Sequence, residues 1–378
     1  MKIGFDAKRA FMNTSGLGNY ARSLLKSLHT YHGEGNKFHL YAPKVRKSRF
    51  YQTIRSSGKF QLHTADSGFY KHLHGAWRSY GVTSSFNKER LDIYHGLSNE
   101  LPFNIKSSTA KSVVTIHDLI FVRYPHLYPW IDRKIYDYKF RNACDNADKI
   151  IAVSQTTKQD LIDLYNVAPQ RVEVIYQCAN DQFLEATNED KKQAIRQKYS
   201  LPPRFLLYVG TIEERKNLLT VLKAVRQLKD KDVPLVIIGR KTEYMKTVQA
   251  YITKYDMNTR IQFLGTIDNN ELPYFYQLAS VFIYPSIFEG FGIPVLEALL
   301  SSTPVITSNV SSLPEAAGKN SILVNPTNDE EIAEGITKIL NDDAFANRMR
   351  TLGLEYAQQF HPQHTSTQLM QLYKSITK

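Results

Sequence analysis

Two glutamates that flank a glycine turn are the strongest chemical signal in the sequence. Glu289 comes directly before Gly290 and Gly292, and Glu297 follows within a helix that Pro294 is suited to begin. Glycines allow a ligand to approach the backbone closely, and amides at the start of a helix point outward. Carboxylates only accept hydrogen bonds, which suits the hydroxyls of a polyol. The segment therefore predicts a binding site for a sugar.

Two cationic side chains follow what reads as the first strand of the second half of the chain. Arg215 and Lys216 come shortly after Gly210 and just before a helix. The segment is not a P-loop, because it lacks the second glycine and the Lys-Ser/Thr pair. A guanidinium, an ammonium and exposed amides suit a diphosphate that is held without a metal ion. The alternative is a pair of solvated cations.

The first half holds two further candidates. Gly16 and Gly18 form a G-x-G-x-x-A match before a helix, but they lie too far from the strand that ends at Asp6 for a nicotinamide dinucleotide site. We expect this loop to approach a phosphate, with a simple turn as the alternative. His117 and Asp118 follow an apolar strand abruptly, which favours a functional role over a structural one.

These candidates depend on a regular alternation of short apolar strands and amphipathic helices along the whole chain. Such a pattern is typical of parallel sheets that are covered on both faces. A polar stretch at 181–203, which ends with two prolines, separates the halves. We predict an α/β fold of two doubly wound, Rossmann-like parallel-sheet domains facing a cleft, with residues 1–182 in the first and 183–360 in the second. Ligands then bind beyond the carboxyl ends of the strands.

The positive charge is concentrated in the first half. The 378 residues carry a net charge of +12. Residues 1–182 hold 26 basic and 15 acidic side chains, a net of +11, and the remainder holds 22 and 21. Within residues 36–90, eleven basic side chains oppose two acidic ones. This stretch suits an anionic membrane surface or a nucleic-acid backbone, and the alternative is a solvated face.

Composition excludes several classes of protein. With 42% hydrophobic and 22% charged residues, the chain is neither disordered nor fibrous. No apolar run approaches the roughly 18 residues that a membrane span needs. The start of the chain lacks the pattern of a signal peptide, and two cysteines argue against a disulfide framework. We expect a cytoplasmic protein.

The motifs together resemble the retaining nucleotide-sugar glycosyltransferases of family 4, which have the GT-B fold. The glutamate pair with seven residues between its members, the Arg215-Lys216-Asn217 element and the Gly16-Leu-Gly18 loop carry this resemblance. Further segments resemble family segments as well: Thr115–Leu119, Ala147–Ser154, Phe263–Gly265, Tyr284–Ser286 and Ser312–Glu315. The run from His117 to Pro125 is similar to a subgroup rich in mannosyltransferases that use GDP-mannose.

The resemblance implies a role for each candidate residue. Glu289 would contact the donor sugar, and Glu297 would bind the ribose. The amides of Gly290, Phe291 and Gly292 would bind the sugar hydroxyls. Arg215 and Lys216, beside Gly210, would bind the diphosphate, and Gly16 and Gly18 would approach the phosphates. His117 would sit beside the reacting sugar, with Asp118 on the acceptor side.

Two segments depart from the family pattern or extend it. Tyr176–Asn180 replaces the Pro-Asn-Gly-Val-Asp motif that many members have after that strand, which leaves the role of this loop open. Residues 361–378 resemble the terminal helices that cross back onto the first domain, although His361-Pro362 replaces the usual Ser-Trp.

We therefore expect a retaining, metal-independent hexosyltransferase of cell-surface polysaccharide synthesis that needs no cofactor. It would move a hexose, with mannose as the first choice, from a nucleoside-diphosphate sugar to a saccharide or lipid-linked saccharide. Residues 36–90 would hold it at the inner face of the membrane, and no nucleic acid is expected. Alternative functions are a GT-B epimerase, a GT-B phosphorylase or a basic nucleic-acid-binding protein.

Overall fold

The computed structural model describes residues 1–13, 16–65, 70, 73–185, 188–230 and 232–377, without the side chains of Arg49 and Asp181. It divides into two compact units. Unit 1 comprises residues 1–178 and the chain from Phe360 onward, and unit 2 comprises Ala179–Gln359. The division after Cys178 lies close to the boundary that we expected after residue 182. No helix in the described ranges combines the length and the apolar character that a bilayer crossing requires.

Unit 1 is built on a seven-stranded parallel sheet with the strand order β3-β2-β1-β4-β5-β6-β7. Its strands are β1 (Lys2–Asp6), β2 (Lys37–Tyr41), β3 (Phe60–His63), β4 (Ile93–Gly96), β5 (Lys111–Ile116), β6 (Lys149–Ala152) and β7 (Val172–Val174). Its helices before the domain boundary are α1 (Lys8–Met12), α2 (Gly16–His32), α3 (Arg49–Ser57), α4 (His74–Ala76), α5 (Thr83–Glu89), α6 (Ile120–Arg123), α7 (Trp130–Asn146) and α8 (Gln155–Tyr165).

Unit 2 contains a six-stranded parallel sheet with the order β10-β9-β8-β11-β12-β13. Its strands are β8 (Leu206–Val209), β9 (Leu235–Ile238), β10 (Ile261–Gly265), β11 (Val281–Tyr284), β12 (Val305–Ser308) and β13 (Ile322–Val324). Its helices are α9 (Glu189–Lys198), α10 (Leu218–Gln227), α11 (Met245–Lys254), α12 (Leu272–Leu278), α13 (Ile293–Leu300), α14 (Leu313–Ala317), α15 (Asp329–Asn341) and α16 (Asp343–Ala357).

Helices cover both faces of each sheet, which explains why the strands are apolar runs rather than alternating ones. In unit 1, Phe5 packs with Leu25 of α2 on one face of the sheet, and Val114 packs with Phe140 of α7 on the other. The strand β3 was missed in the sequence, because its alternating Phe-Gln-Leu-His pattern belongs to a half-buried edge strand. The predicted class of two doubly wound parallel-sheet domains is confirmed.

The strand order places a topological switch point in each sheet. In each unit the first strand lies between the second and the fourth strand. The second and third strands are therefore on one side of the first strand, and all later strands are on the other side. A crevice forms outside the carboxyl ends of the two central strands, and ligands of doubly wound sheets bind there. In unit 1 the crevice lies beyond β1 and β4, and in unit 2 it lies beyond β8 and β11.

The final helix, α17 (Pro362–Thr377), belongs to unit 1. A buried chain of hydrogen bonds joins it to the sheet. The Tyr373 hydroxyl lies 2.6 Å from Nδ1 of His95, and Nε2 of His95 lies 2.8 Å from the hydroxyl of Thr115. The Thr115 hydroxyl is in turn 3.1 Å from the hydroxyl of Tyr20 on α2. The end of the chain is therefore part of the first fold unit.

The basic stretch at 36–90 does not form one uniform face. Arg78 is a correction to that expectation, because its side chain is only 13% exposed and pairs with Asp6 and Glu100. Lys71 and the side chain of Arg49 lie outside the described residues. Four exposed basic residues lie at the amino-end edge of the sheet: Lys37 begins β2, and Lys59, Lys88 and Arg90 precede strands. By contrast, Lys44, Arg46 and Lys47 follow β2, and Arg55 lies on α3.

Candidate active site

The switch point of unit 2 brings the predicted glutamate and the two predicted cations together. The loop after β8 carries Arg215 and Lys216, and the loop after β11 carries Glu289. Nζ of Lys216 lies 2.9 Å from Oε1 of Glu289, and Nη1 of Arg215 lies 2.8 Å from the same oxygen. The three side chains are each 14% exposed. Neighbouring strands of the sheet thus place them in direct contact.

Glu289 is held through one of its two oxygens. Besides the two cations, Oε1 accepts hydrogen bonds from the hydroxyls of Tyr284 and Ser286, both at 2.8 Å. Within the part of the chain that the structure describes, Oε2 has no hydrogen-bond partner. Burial by itself raises the pKa of this carboxyl, but the charges of Lys216 and Arg215 and the hydrogen bonds outweigh it and lower the pKa to about 2. Glu289 is therefore ionised, with one oxygen available.

Arg215 ties the two loops to each other. Its guanidinium donates to the carbonyl of Phe288 and to Oε1 of Glu213, the latter at 2.7 Å, and its own carbonyl accepts from the amide of Ile287 at 2.8 Å. Burial alone would lower the pKa of Arg215, but the charge of Glu289 raises it overall. Lys216 donates to the Tyr284 hydroxyl and lies 4.9 Å from the centre of that ring. The cations are thus fixed in place.

The glycines around this cluster make room for it. A Cβ atom on Gly210 would lie 3.1 Å from Cδ of Lys216, so the glycine leaves space for the lysine stem. Gly292 precedes α13 with φ of +142°, and a Cβ there would lie 2.9 Å from that of Ala316. Gly290 is half-buried and Phe291 is buried. Pro294 lies in the first turn of α13, as predicted.

Two serines from the loop after β12 hold the backbone of the glycine turn. The amide of Glu289 donates to Oγ of Ser311 at 3.0 Å. The hydroxyl of Ser312 donates to the carbonyls of Glu289 and Phe291 at 2.8 and 2.6 Å. Sequence reasoning did not assign these serines, or Tyr284 and Ser286, to the site. Tyr284, Ser286 and Ser312 occur in segments that carried the family resemblance, which was the available signal.

Glu297 lies in a different environment from Glu289. Its Oε2 accepts a hydrogen bond from the hydroxyl of Tyr276 at 3.0 Å, and it makes no ion pair with a described residue. Burial raises the pKa of Glu297 to about 8, although the hydrogen bond from Tyr276 opposes the rise. The side chain therefore holds a proton near neutral pH and can donate as well as accept a hydrogen bond. The sequence argument had treated it as an acceptor only.

His117 in unit 1 uses both ring nitrogens within the protein. Nε2 donates to the carbonyl of Leu97 at 2.8 Å, and Nδ1 accepts from the side-chain amide of Gln177 at 2.8 Å. These partners select the neutral tautomer with the proton on Nε2. Burial lowers the pKa of His117 to about 4. Gln177 lies in the loop that departs from the family motif, so this departure supplies the group that orients His117.

The other unit 1 candidates have distinct surroundings. Oδ1 of Asp118 accepts a hydrogen bond at 3.1 Å from the amide of Ile120, the first residue of α6. Gly16 begins α2, and nothing lies within 4 Å of where its Cβ would be. A Cβ on Gly18 would lie 1.9 Å from the carbonyl oxygen of Asn13. Gly18 is therefore required by a close backbone approach within unit 1.

The residues that the structure describes include no cluster of three or more His, Cys, Asp or Glu side chains arranged to hold a metal ion. The charge that the site can offer to an anion is that of Arg215 and Lys216. The described geometry brings together Gly210, Arg215, Lys216 and Glu289. It leaves Glu297 outside that hydrogen-bonded cluster, and the unit 1 candidates form a separate group.

Two family models match successive parts of the chain. The model described as Glycosyltransferase Family 4 matches residues 14–183, and the model described as Glycosyl transferases group 1 matches residues 190–375. The O-antigen chain mannosyltransferase B of Escherichia coli is 29% identical over 288 residues, which cover 75% of this chain and 74% of that protein. The serotype-specific mannosyltransferase WbdA of the same species is 28% identical over 287 residues. That match covers 71% of this chain but only 34% of the length of WbdA.

The solved structures include a glycosyltransferase from Rickettsia africae that matches with a TM-score of 0.79. The match covers 100% of this chain and 98% of the other, at 17% sequence identity. At that identity the likeness concerns the fold alone, and it agrees with the predicted GT-B class.

Proposed function

The chain belongs to the family 4 glycosyltransferases, and we propose that it transfers mannose from GDP-mannose to a saccharide or lipid-linked saccharide in cell-surface polysaccharide synthesis. Glycosyltransferase activity and the GT-B fold follow from the family. The choice of mannose is supported by the two relatives, since both are named mannosyltransferases and one is named for the O-antigen chain. The choice of GDP as the nucleotide rests on the resemblance of residues 117–125 to the mannosyltransferase subgroup.

The observation that carries the proposal is the state of Glu289. A carboxylate with four donors on Oε1 and no described partner on Oε2 is rigid, charged and open to one further donor. We propose that a hydroxyl of the donor sugar hydrogen-bonds Oε2. The amides at Gly290–Gly292 would bind neighbouring hydroxyls, and Glu297 would bind the ribose.

The proposed chemistry places developing negative charge beside Lys216 and Arg215. The bond between the anomeric carbon and the diphosphate breaks, and a bond from that carbon to the acceptor oxygen forms on the same face. The acceptor proton passes to the departing phosphate. Fixed cations stabilise such charge without reorganising during the reaction, so we propose that no metal ion or cofactor is needed. Gly16 would approach the phosphates.

We propose a positioning role for His117. Both of its ring nitrogens have protein partners, so proton transfer would require one of those hydrogen bonds to break. His117 would lie beside the sugar and fix the loop that begins at Leu97 through its hydrogen bond to the Leu97 carbonyl. Because its ring is uncharged, it would not attract the phosphates away from Arg215 and Lys216. Asp118 would face the acceptor.

The proposal is tested by Lys216→Met and Glu289→Gln, assayed for release of GDP from GDP-mannose in the presence of a mannoside acceptor. We expect each variant to lose roughly 100-fold to 1,000-fold in turnover, the range seen when a fixed electrostatic contact to the transition state is removed. Lys246→Met is the matched control, because Lys246 is 83% exposed and pairs with the exposed Glu243. Undiminished turnover in both variants would reject the assignment.

The same assay separates the alternative functions. Conversion of GDP-mannose to an epimeric nucleotide sugar, without an acceptor and without net release of GDP, indicates an epimerase, and dependence on inorganic phosphate indicates a phosphorylase. Proton NMR of the product reports whether the anomeric configuration is retained. Salt-sensitive binding of RNA without any turnover would indicate a nucleic-acid-binding protein.

We also propose that the protein docks at the cytoplasmic face of a membrane through the basic stretch 36–90, and within it we assign the contact to the exposed residues Lys44, Arg46 and Lys47. Lys44, Arg46 and Lys47 lie together after β2, and basic residues near an anionic surface contribute about 1 kcal/mol each. Replacing all three with Gln should reduce co-sedimentation with anionic vesicles. The control replaces Lys37, Lys59 and Lys88 with Gln. It removes the same number of charges at the other edge of the sheet. Equal loss in both variants would contradict this site, as would binding that ignores lipid charge.

A further inference from the structure

The buried chain of hydrogen bonds that joins α17 to the sheet of unit 1 leads to the ring of His117. It runs from Tyr373 through His95 and Thr115 to Tyr20. The ring of Tyr20 then contacts the ring of His117, with 4.7 Å between the ring centres and nearly perpendicular planes. No role proposed above uses a member of this chain, although it ends beside a candidate site residue.

The chain holds one proton more than its own hydrogen bonds use. Burial lowers the pKa of His95 to about 3, so its imidazole is neutral and carries a single N–H proton. The hydroxyls of Tyr373, Thr115 and Tyr20 carry one proton each, and the four groups form three hydrogen bonds with one another. One hydroxyl must therefore donate outside the chain, and its identity fixes the direction of the bonds.

Burial identifies that hydroxyl as the one on Tyr20. Tyr373 and Thr115 are fully buried, and no described residue outside the chain accepts a hydrogen bond from either hydroxyl. A buried donor without an acceptor is costly, whereas Tyr20 is only half-buried. Tyr373 therefore donates to Nδ1 of His95, and Nε2 of His95 donates to Thr115. Thr115 in turn donates to Tyr20, whose own proton is left for another partner.

The position and state of the Tyr20 hydroxyl suit a contact with an oxygen of a ligand. Burial raises the pKa of Tyr20, although the hydrogen bond with Thr115 opposes the rise, so the hydroxyl keeps its proton near neutral pH. Tyr20 belongs to α2, which begins at Gly16. We have proposed that Gly16 approaches the phosphates and that His117 lies beside the sugar. A donor in this region matches the phosphate oxygens, which only accept hydrogen bonds, or a sugar hydroxyl.

We propose that the Tyr20 hydroxyl donates a hydrogen bond to an oxygen of the bound nucleotide sugar, and that Tyr373 and His95 are positioning residues that keep this donor directed outward. Without the Tyr373 hydroxyl, the imidazole proton of His95 can occupy either nitrogen. Thr115 can then donate to His95, and Tyr20 turns its proton inward to Thr115. The inference rests on the proposed function and adds Tyr20 to the groups that hold the donor.

The test is a double-mutant cycle of Tyr20→Phe and Tyr373→Phe in the full chain, with the affinity for GDP-mannose measured by calorimetry. Tyr20→Phe should weaken binding about 2-fold to 10-fold if the oxygen is a sugar hydroxyl, and about 10-fold to 100-fold if it belongs to a phosphate. In the second case the affinity for GDP falls as well. Tyr373→Phe should weaken binding less. The double variant should bind no worse than Tyr20→Phe, because both changes act on one donor.

Tyr165→Phe is the matched control, because it also removes a hydroxyl that donates within unit 1, in this case to Oδ1 of Asp137. It should leave the affinity for GDP-mannose unchanged. Nitrogen-15 NMR of the His95 imidazole reports the direction of the chain without any ligand. The proton should lie on Nε2 in the wild type and in Tyr165→Phe, and it should be shared between both nitrogens in Tyr373→Phe.

The outcomes separate this inference from the proposed function. Equal affinity in Tyr20→Phe and the wild type would overturn the inference alone, and so would an equal loss in Tyr165→Phe. Losses that multiply in the double variant would show that Tyr373 does not act through Tyr20, and a wild-type proton on Nδ1 of His95 would reverse the chain. Failure of the proposed function would appear instead as no binding of any nucleotide sugar to the wild type.

Discussion

The two sheets have equivalent switch points, but the side chains at their strand ends differ in charge. In unit 2, Glu289 contacts Arg215 and Lys216, and its pKa falls to about 2. In unit 1, His117 contacts the carbonyl of Leu97 and the amide of Gln177, and its pKa falls to about 4. One fold plan thus supports a charged cluster around Glu289 and a neutral hydrogen-bonded group around His117.

The difference agrees with the two halves of a transfer reaction. Charge develops on the donor side when a diphosphate departs, and fixed ions stabilise it best. In the proposed reaction the acceptor hydroxyl is neutral, and the uncharged ring of His117 suits such a group. The +11 charge of residues 1–182 is not concentrated around His117. The described basic residues of 36–90 lie elsewhere on the surface or, in the case of Arg78, are paired.

Removing the central charge of unit 2 should have the largest effect on stability. Glu289→Ala removes the carboxylate that pairs with buried Lys216 and leaves Arg215 paired with the more exposed Glu213, and breaking a buried ion pair costs roughly 3–5 kcal/mol. Because the side chains are slightly exposed, we expect about 3 kcal/mol, measured as the free energy of unfolding from hydrogen exchange in unit 2 peptides. His117→Ala breaks only neutral hydrogen bonds and should cost about 1–2 kcal/mol in unit 1. Equal costs would contradict the comparison.

The two units should respond to pH in opposite directions. The pKa values of His117 and His95 are lowered by burial to about 4 and about 3, so unit 1 loses stability as pH falls below about 6.5, when the unfolded histidines take up protons. The pKa of Glu297 is raised to about 8, so its contribution to unit 2 is lost as pH rises from about 4.5 to about 8. As pH rises from 5 to 6.5, unit 1 should therefore become more stable, and the contribution of Glu297 to the stability of unit 2 should decline.

Fluorescence and hydrogen exchange measure the pH dependence of stability separately in the two units. Both tryptophans, Trp77 and Trp130, belong to unit 1, so their emission reports its unfolding, and hydrogen exchange reports unit 2. Glu297→Gln should remove the decline in unit 2 and leave the fluorescence transition unchanged. Parallel slopes in the two units would show that the carboxyl of Glu297 is ionised in the folded protein.

The smallest predicted effect concerns the tautomer of His117. In Gln177→Glu, a carboxylate replaces the amide donor beside Nδ1, so the ring must present a proton there and is stabilised as a cation. The pKa of His117 should rise by about one to two pH units, followed by NMR of the imidazole. Gln177→Met removes the donor without adding charge and should leave the pKa low. An unchanged pKa in Gln177→Glu would mean that Gln177 does not orient the ring.

The sequence was sufficient for the fold class and for the residues at the centre of unit 2. Strand runs and loop motifs placed Glu289 and the two cations in loops that follow strands, whereas the ion pairs between them were not predicted. The roles of Ser311 and Ser312 were not predictable, because they reach the glycine turn from another strand. The buried pairing of Arg78 with Asp6 was also missed, because a charge in a basic stretch does not reveal a distant partner.

The pKa of Glu297 was beyond sequence reasoning for a related reason. It depends on what surrounds the side chain rather than on the residue type. A glutamate in an acidic motif reads as a carboxylate, and only its burial next to Tyr276 shows that it keeps a proton.

The central claim is that the charged switch point of unit 2 supports sugar transfer from a nucleotide donor. The most direct measurement incubates the protein with GDP-mannose and methyl α-D-mannopyranoside and follows both products by NMR. We predict that a mannosyl disaccharide with retained anomeric configuration forms in equal amount to GDP, and that neither forms without the acceptor. No consumption of GDP-mannose, nor of UDP- or ADP-sugars in its place, would contradict the account.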